Sequence, residues 1–194
     1  DVDIISIQFS VAKGTGCFWP WREPYVEFSR TILQSSNRKV GHNNWRFDDS
    51  LLRAHGCILG GEIHDTRWLW HHLQPDLPAG LQFIASFYGF PHPWKHLSDS
   101  DPEWYGICDV DALHYIYPRV ADDLRTRGIW RGYEQHVLSL EPVLHQMSRR
   151  GMPVNADAHT KLGDALREEL VEADAAMQQC VPPELTNCLP KLGY

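Results

Sequence analysis

The sequence carries no excess of positive charge. Its 18 lysines and arginines stand against 25 aspartates and glutamates, for a formal net charge of -7 at pH 7. That excludes a broadly basic surface of the kind that holds phosphate backbones by charge alone. It does not exclude a nucleic-acid site built on carboxylates, which is acidic until its cations bind. A cysteine framework is also missing. Cys17, Cys57, Cys108, Cys180 and Cys188 are odd in number and scattered, and none forms a CxxC pair. Such a set argues for a reducing compartment over a disulfide scaffold. No apolar run approaches the ~20 residues of a membrane span. Residues 1–10 have neither the basic start nor the apolar stretch of a secretory leader, so none is expected. No internal repeat or low-complexity segment interrupts the chain.

What remains is 194 residues, 43% hydrophobic and 22% charged, enough for one medium domain with a real core or for one domain and a piece of another. Ile4 to Ser10 is rich in β-branched residues and reads as a strand, with Gly14-Thr15-Gly16 as a turn and Cys17-Phe18-Trp19 as the return strand of a hairpin. Pro24 to Gln34 has apolar residues at helical spacing, with the proline suited to the first turn. Lys39 to His42 is short enough to be a buried strand. Trp45 to His55 reads as a helix stopped by Gly56. Further helices are expected from Asp65-Thr66 to Leu73, with Asp65 as N-cap, and from Gly80 to Tyr88. Pro102 to Thr126 has a long helical pattern in which Pro118 predicts a kink or a break. After Gly128 the texture turns purely helical: Trp130 to Arg150, then Asn155 to Gln179 with Leu162, Leu166, Leu170, Ala173 and Met177 along one face. The expected division is therefore an α/β part, 1–127, and an all-α part, 128–194.

Two segments stand out chemically. In Gly41-His42-Asn43-Asn44-Trp45-Arg46-Phe47-Asp48 a strand ends, a polar loop follows, and Asp48 falls on the first turn of a helix. In Trp104-Tyr105-Gly106-Ile107-Cys108-Asp109 the tyrosine and the aspartate are four apart and share a helix face. Phosphodiester hydrolysis by two metal ions calls for such parts. The ions need hard oxygen ligands from separate elements. One ion acidifies a water, the other stabilises the leaving oxygen, and the two sit ~3.5–4 Å apart. A tyrosine hydroxyl one turn from a metal carboxylate can orient the attacking water. Taken alone, each feature has a plainer explanation: an aspartate at a helix start is commonly a cap, and Tyr-xxx-Asp arises often by chance in amphipathic helices.

Together and in order, these segments resemble a known family. The stretch from His42 to Asp48 resembles the second exonuclease motif of the DEDD nucleases, and Tyr105 to Asp109 the third motif in its tyrosine form, at a separation of about sixty residues. His64 to Leu69 and Leu77 to Leu81 are similar to the helix pair between those motifs in family A DNA polymerases. Gly132-Tyr133-Glu134 through Met147 to Asn155 is similar to the start of the polymerase region. The resemblance implies a ribonuclease-H-like mixed sheet flanked by helices, followed by a helical, thumb-side segment. It also implies 3′–5′ proofreading on the 3′ end of single-stranded DNA, with primer-template DNA and the rest of a polymerase chain as partners. The compartment implied is cytoplasmic, in a bacterium or a phage-infected cell, with an organelle left open. Asp109 would be a direct ligand of one Mg2+ or Mn2+ ion, Asp48 would contact a second through water, Tyr105 would position the nucleophilic water, and Asn43 and Phe47 would border the terminal nucleotide. The family's first motif, Asp-x-Glu, is not found ahead of Ile4. The expectation is that the chain starts after it and is inactive by itself; a shifted Asp1/Asp3 pair, or a domain that has lost the site, are the alternatives. A nuclease-like module that only packs or holds single strands, and an exoribonuclease of the same fold, are the competing functions.

Other side chains are candidates as well. His64, His71 and His72, or His55 with Cys57, match no structural zinc spacing. Asp65 is a candidate third carboxylate but is better placed as a cap. Trp19, Trp21, Trp94, Trp104 and Trp130 suit packing better than base stacking. Lys95 and Arg46 are candidate phosphate contacts.

Overall fold

The computed structural model describes residues 3–182 and divides the chain into two compact units, Asp1–Arg149 and Arg150–Tyr194. Gly128, where the sequence changes texture, lies inside the first. Asp1 falls outside the described residues, and Asp3 is exposed.

The first unit is α/β. Strands β1 (Ser6–Phe9) and β2 (Cys17–Pro20) form the expected antiparallel hairpin, with Ser6 opposite Pro20 and Phe9 opposite Cys17. Asp111 fastens its turn by accepting from the Gly14 N–H through Oδ2 at 2.8 Å. A second pair, β3 (Lys39–Gly41) with β4 (Ile63–Asp65), is parallel and sets Gly41 against Asp65. Parallel neighbours need a crossover, which helix α2 (Asp48–Ala54) and the loop after it supply. The described strands stay in these two pairs. Strand β4 has only three residues, too few to show alternation, and escaped the sequence reading.

Helices α1 (Tyr25–Gln34), α3 (Thr66–Leu73) and α4 (Leu81–Phe87) lie where periodicity puts them. Helix α5 (Pro102–Thr126) is one element of 25 residues. It runs on through Pro118 as one helix, so of the kink or break expected there the break does not occur. Proline removes one backbone hydrogen bond, a cost of ~3 kcal/mol, but Cys108, Ala112, Ile116, Val120 and Leu124 form a buried stripe on both sides of it. Leu69, Trp70 and Leu73 of α3 and Leu81, Ile84 and Ala85 of α4 complete that core with Tyr133. At 1.5–3 kcal/mol per fully buried large side chain, the stripe outweighs the lost bond. The Tyr88 hydroxyl donates to Asp123 at 2.7 Å and Arg119 donates to the Tyr88 carbonyl, fixing the end of α4 to α5.

Trp130 to Arg150 is not the single helix expected. It resolves into a turn, α6 (Trp130–Gly132), a π-helical stretch Tyr133–Leu138, and α7 (Glu141–Arg150). In the second unit, Asn155 caps α8 (Ala156–Gln179) by accepting from the Ala158 N–H at 3.0 Å, and Leu162, Leu166, Leu170 and Met177 are exposed. Among the described residues no helix is long and apolar enough to cross a membrane.

Candidate functional site

The site begins where β3 ends. Asn43 sits at φ 60, a left-handed conformation that asparagine tolerates better than most residues. Its N–H donates to Asp65 Oδ1 at 2.8 Å, and the same oxygen accepts from the Arg67 N–H at 2.9 Å. Asp65 is thus the expected cap of α3 and also the anchor of the 42–47 loop. That loop runs as turns, so α2 starts at Asp48 and not at Trp45. Phe47, just before it, is 67% exposed and presents its ring to solvent beside Asp48.

Tyr105 and Asp109 lie on the first turns of α5, next to the buried stripe. Gly106 between them has a physical reason. A Cβ there would stand 2.8 Å from the Gln8 side chain of β1, so the glycine lets the strand cross close to the helix.

Asp48 and Asp109 stand about sixty residues apart in the chain, and the charge of Asp109 reaches the Asp48 carboxyl. Asp48 counts as exposed over its whole surface, yet protein crowds its carboxyl. That loss of water, with the neighbouring charges of Asp65 and Asp109, raises its pKa to about 6. A carboxyl whose ionisation its acidic neighbours oppose is a group a divalent cation would relieve. Burial also raises Asp65, whose Oδ2 is buried without a hydrogen-bond partner. These donors are right in kind for Mg2+ or Mn2+ and few in number: among the described residues no group of three or more His, Cys, Asp or Glu side chains gathers closely enough to hold a metal.

Asp109 also has partners that sequence reasoning did not foresee. Its Oδ1 accepts from Trp94 Nε1 at 2.5 Å and from Lys95 Nζ at 2.6 Å, and the Lys95 amine donates to the Tyr105 hydroxyl at 2.8 Å. The amine lies 4.4 Å from the centre of the Tyr105 ring, a cation–π contact. Trp94 is buried, as packing predicted, and also directs Asp109. A 3-10 turn, Lys95–Leu97, folds this segment back onto α5. Nothing in the spacing of Pro93-Trp94-Lys95 announces that return.

His42 lies under the loop, its Nδ1 3.0 Å from Thr66 Oγ1. Loss of water, with Arg67 and Lys95 adding to it, lowers its pKa to about 4. An unfolded histidine titrates near 6.5, so between pH 6.5 and 4 the unfolded chain takes up a proton that the folded chain refuses. Stability is then lost as pH falls through that window. The raised carboxyl of Asp48 works in the opposite sense. The expected result is therefore a difference: the parent loses more stability from pH 6.5 to 4 than His42→Gln in paired urea titrations. Parallel curves would refute the assignment.

His55 Nδ1 lies 3.0 Å from the Leu51 carbonyl and His72 Nδ1 3.0 Å from the Trp68 carbonyl, each four residues back. His64 is buried with Nδ1 3.1 Å from the Tyr133 hydroxyl and Nε2 3.2 Å from Glu62, among the rings of Tyr117, Trp130 and Tyr133. Compared with known proteins, the chain matches no family model and no curated protein.

Proposed function

We propose that the chain is the 3′–5′ exonuclease portion of a family A DNA polymerase, ribonuclease-H-like over residues 1–127 and continuing into the helical start of the polymerase region over 128–194. The observation that carries the reading is that Tyr105 and Asp109 share one face of α5 and one donor, the Lys95 amine, with the charge of Asp109 also felt at the Asp48 carboxyl. Asp109 would hold one Mg2+ or Mn2+ directly and Asp48 a second through water. The Asp-x-Glu pair that the resemblance calls for would supply the remaining oxygens. When bound, the ions acidify a water and stabilise the leaving oxygen. The chain's own groups do the rest. Tyr105 orients that water through its hydroxyl, the exposed ring of Phe47 packs on the terminal base, and Asn43 fixes the loop that carries both Phe47 and Asp48.

A second reading, a nuclease-like module that binds single strands without cutting, draws support from the Lys95 amine already held by Asp109. One assay separates them. A polymerase chain carrying this region is given a 5′-labelled single strand and Mg2+. The expected result is stepwise shortening with release of 5′-mononucleotides. Tyr105→Phe should slow it about 100-fold, the low end of what a positioned acid–base group contributes, with primer extension unchanged. No shortening would leave the non-cutting module; equal digestion of an RNA strand would favour an exoribonuclease.

A further inference from the structure

We propose that the cleft between the β1–β2 turn and α5 is a second binding site, for a single nucleotide, with the base against Trp104 and the phosphate on Lys13. It lies apart from Tyr105 and Asp109 and needs no ion, so it does not rest on the nuclease reading.

The cleft holds about 320 Å³, at the small end of the range for small-molecule sites. Trp104, Cys108, Asp111 and Tyr115 of α5 line it, at helical spacing that keeps them on one face. Tyr105 and Asp109 each stand one residue beyond a member of that stripe, a turn of about 100° around the helix axis, so they face elsewhere. Phe90 adds another wall. Its ring is edge-on to Tyr115 at 5.2 Å and to the buried Trp94 at 5.0 Å, so these rings are held in place. Trp104 is not. Its side chain is 46% exposed, and its indole makes no ring contact or hydrogen bond among the described residues. The sequence favoured packing for this residue, whereas the structure leaves the indole half in solvent at the edge of a ring-lined cleft. Such an indole is a platform for another flat ring, and a nucleobase stacks on it whatever its identity.

Charge points to the other half of the ligand. Lys13 Nζ lies 4.2 Å from the centre of the Tyr115 ring, a cation–π hold. The amine forms no ion pair or hydrogen bond among the described residues. Asp111 also lines the cleft, but the hairpin takes its oxygens: Oδ2 accepts from the Gly14 N–H at 2.8 Å and Oδ1 from Ser10 Oγ at 3.0 Å. The same bonds pin the residue next to Lys13, so the lysine is presented from an ordered turn. In a chain of net charge -7, an amine with no carboxylate of its own is a seat for an anion. Its three N–H donors suit phosphate oxygens. A flat ring joined to a phosphate through a sugar answers both features, and that is a nucleotide.

The test is equilibrium dialysis of labelled dAMP against the chain in EDTA, so that no divalent ion contributes. Saturable binding is expected. Trp104→Ala should weaken it about tenfold, within what one stacked base contributes, and Trp104→Phe should recover most of the loss. Lys13→Met should weaken it about five- to tenfold, the low end for a charged contact because the amine is exposed, and Lys13→Arg should match the parent. Divided probes sharpen the result. Deoxyadenosine should respond to Trp104→Ala and not to Lys13→Met, and deoxyribose 5-phosphate the reverse. Both side chains are exposed, so thermal melts of the variants should match the parent. A single-stranded oligonucleotide held more tightly than dAMP through the same two side chains makes the ligand a nucleotide within a strand; equal affinity makes it a free mononucleotide, and either upholds the site. No saturable binding at millimolar dAMP, or binding untouched by both Trp104→Ala and Lys13→Met, overturns the proposal and leaves the ion-dependent nuclease reading where it stood. Binding kept in those two variants but lost in Asp109→Asn or Tyr105→Phe would put the nucleotide at the nuclease site and overturn the proposal as well.

Discussion

Asp109→Ala lowers digestion of a 3′ single strand about 10³-fold and leaves primer extension at its parent rate. The size follows from what the side chain is asked to do. Loss of an outer partner of a metal ligand typically costs 10–100-fold, and loss of the ligand itself should exceed that, since ion position and water acidity go together. The substitution also frees Trp94 Nε1 and Lys95 Nζ, which share Oδ1. Asp109→Asn therefore belongs beside it. The amide oxygen can still accept from Trp94 while the charge is gone, so an equal loss of rate in the asparagine variant assigns the effect to charge and not to packing. Rates are read from a 5′-labelled oligonucleotide on a gel, with the polymerase assay as control. Digestion within a few-fold of the parent would remove Asp109 from the reaction.

Trp94→Ala is the largest expected loss of stability, about 4–5 kcal/mol. Trp94 is buried in the main core with the ring of Phe90 edge-on at 5.0 Å, and truncation of a buried aromatic to alanine costs 3–5 kcal/mol. Its N–H also serves Asp109, adding roughly 1 kcal/mol once the half-open setting of that carboxylate is discounted. Trp94→Phe tells the two contributions apart. It keeps most of the ring and loses the donor, and should cost about 1.5–2.5 kcal/mol. Chemical denaturation with fixed slope measures both. A loss under 2 kcal/mol for the alanine variant would show that the pocket collapses around the gap, contrary to the tight packing described.

The long elements were legible in the sequence because each carries its own period. The spacing of Trp104, Ile107, Cys108, Leu113, Ile116 and Val120 wrote α5, and Asp65 announced both the start of α3 and its cap. The site was legible only in part. Asp48, Tyr105 and Asp109 could be picked out through family resemblance, which is a statement about order along the chain. The approach of Trp94 and Lys95 to Asp109 could not, because it depends on a 3-10 turn and on the burial of an indole, neither of which has a period. Strand β4 was missed for want of length. The break of the Trp130–Arg150 helix into a π-helical stretch was missed because six residues are too few for apolar spacing to tell the two windings apart. Of the kink or break that Pro118 announced, the break gave way to a buried stripe longer than the defect.

That uninterrupted helix has a geometric consequence. At 1.5 Å of rise per residue, 25 residues make a rod of roughly 37 Å. Tyr105 and Asp109 ride near one tip, and Arg125, stacked 4.0 Å from the ring centre of Trp130, rides near the other. One continuous helix thus carries the Tyr105–Asp109 turn at one end and the contact with Trp130 at the other.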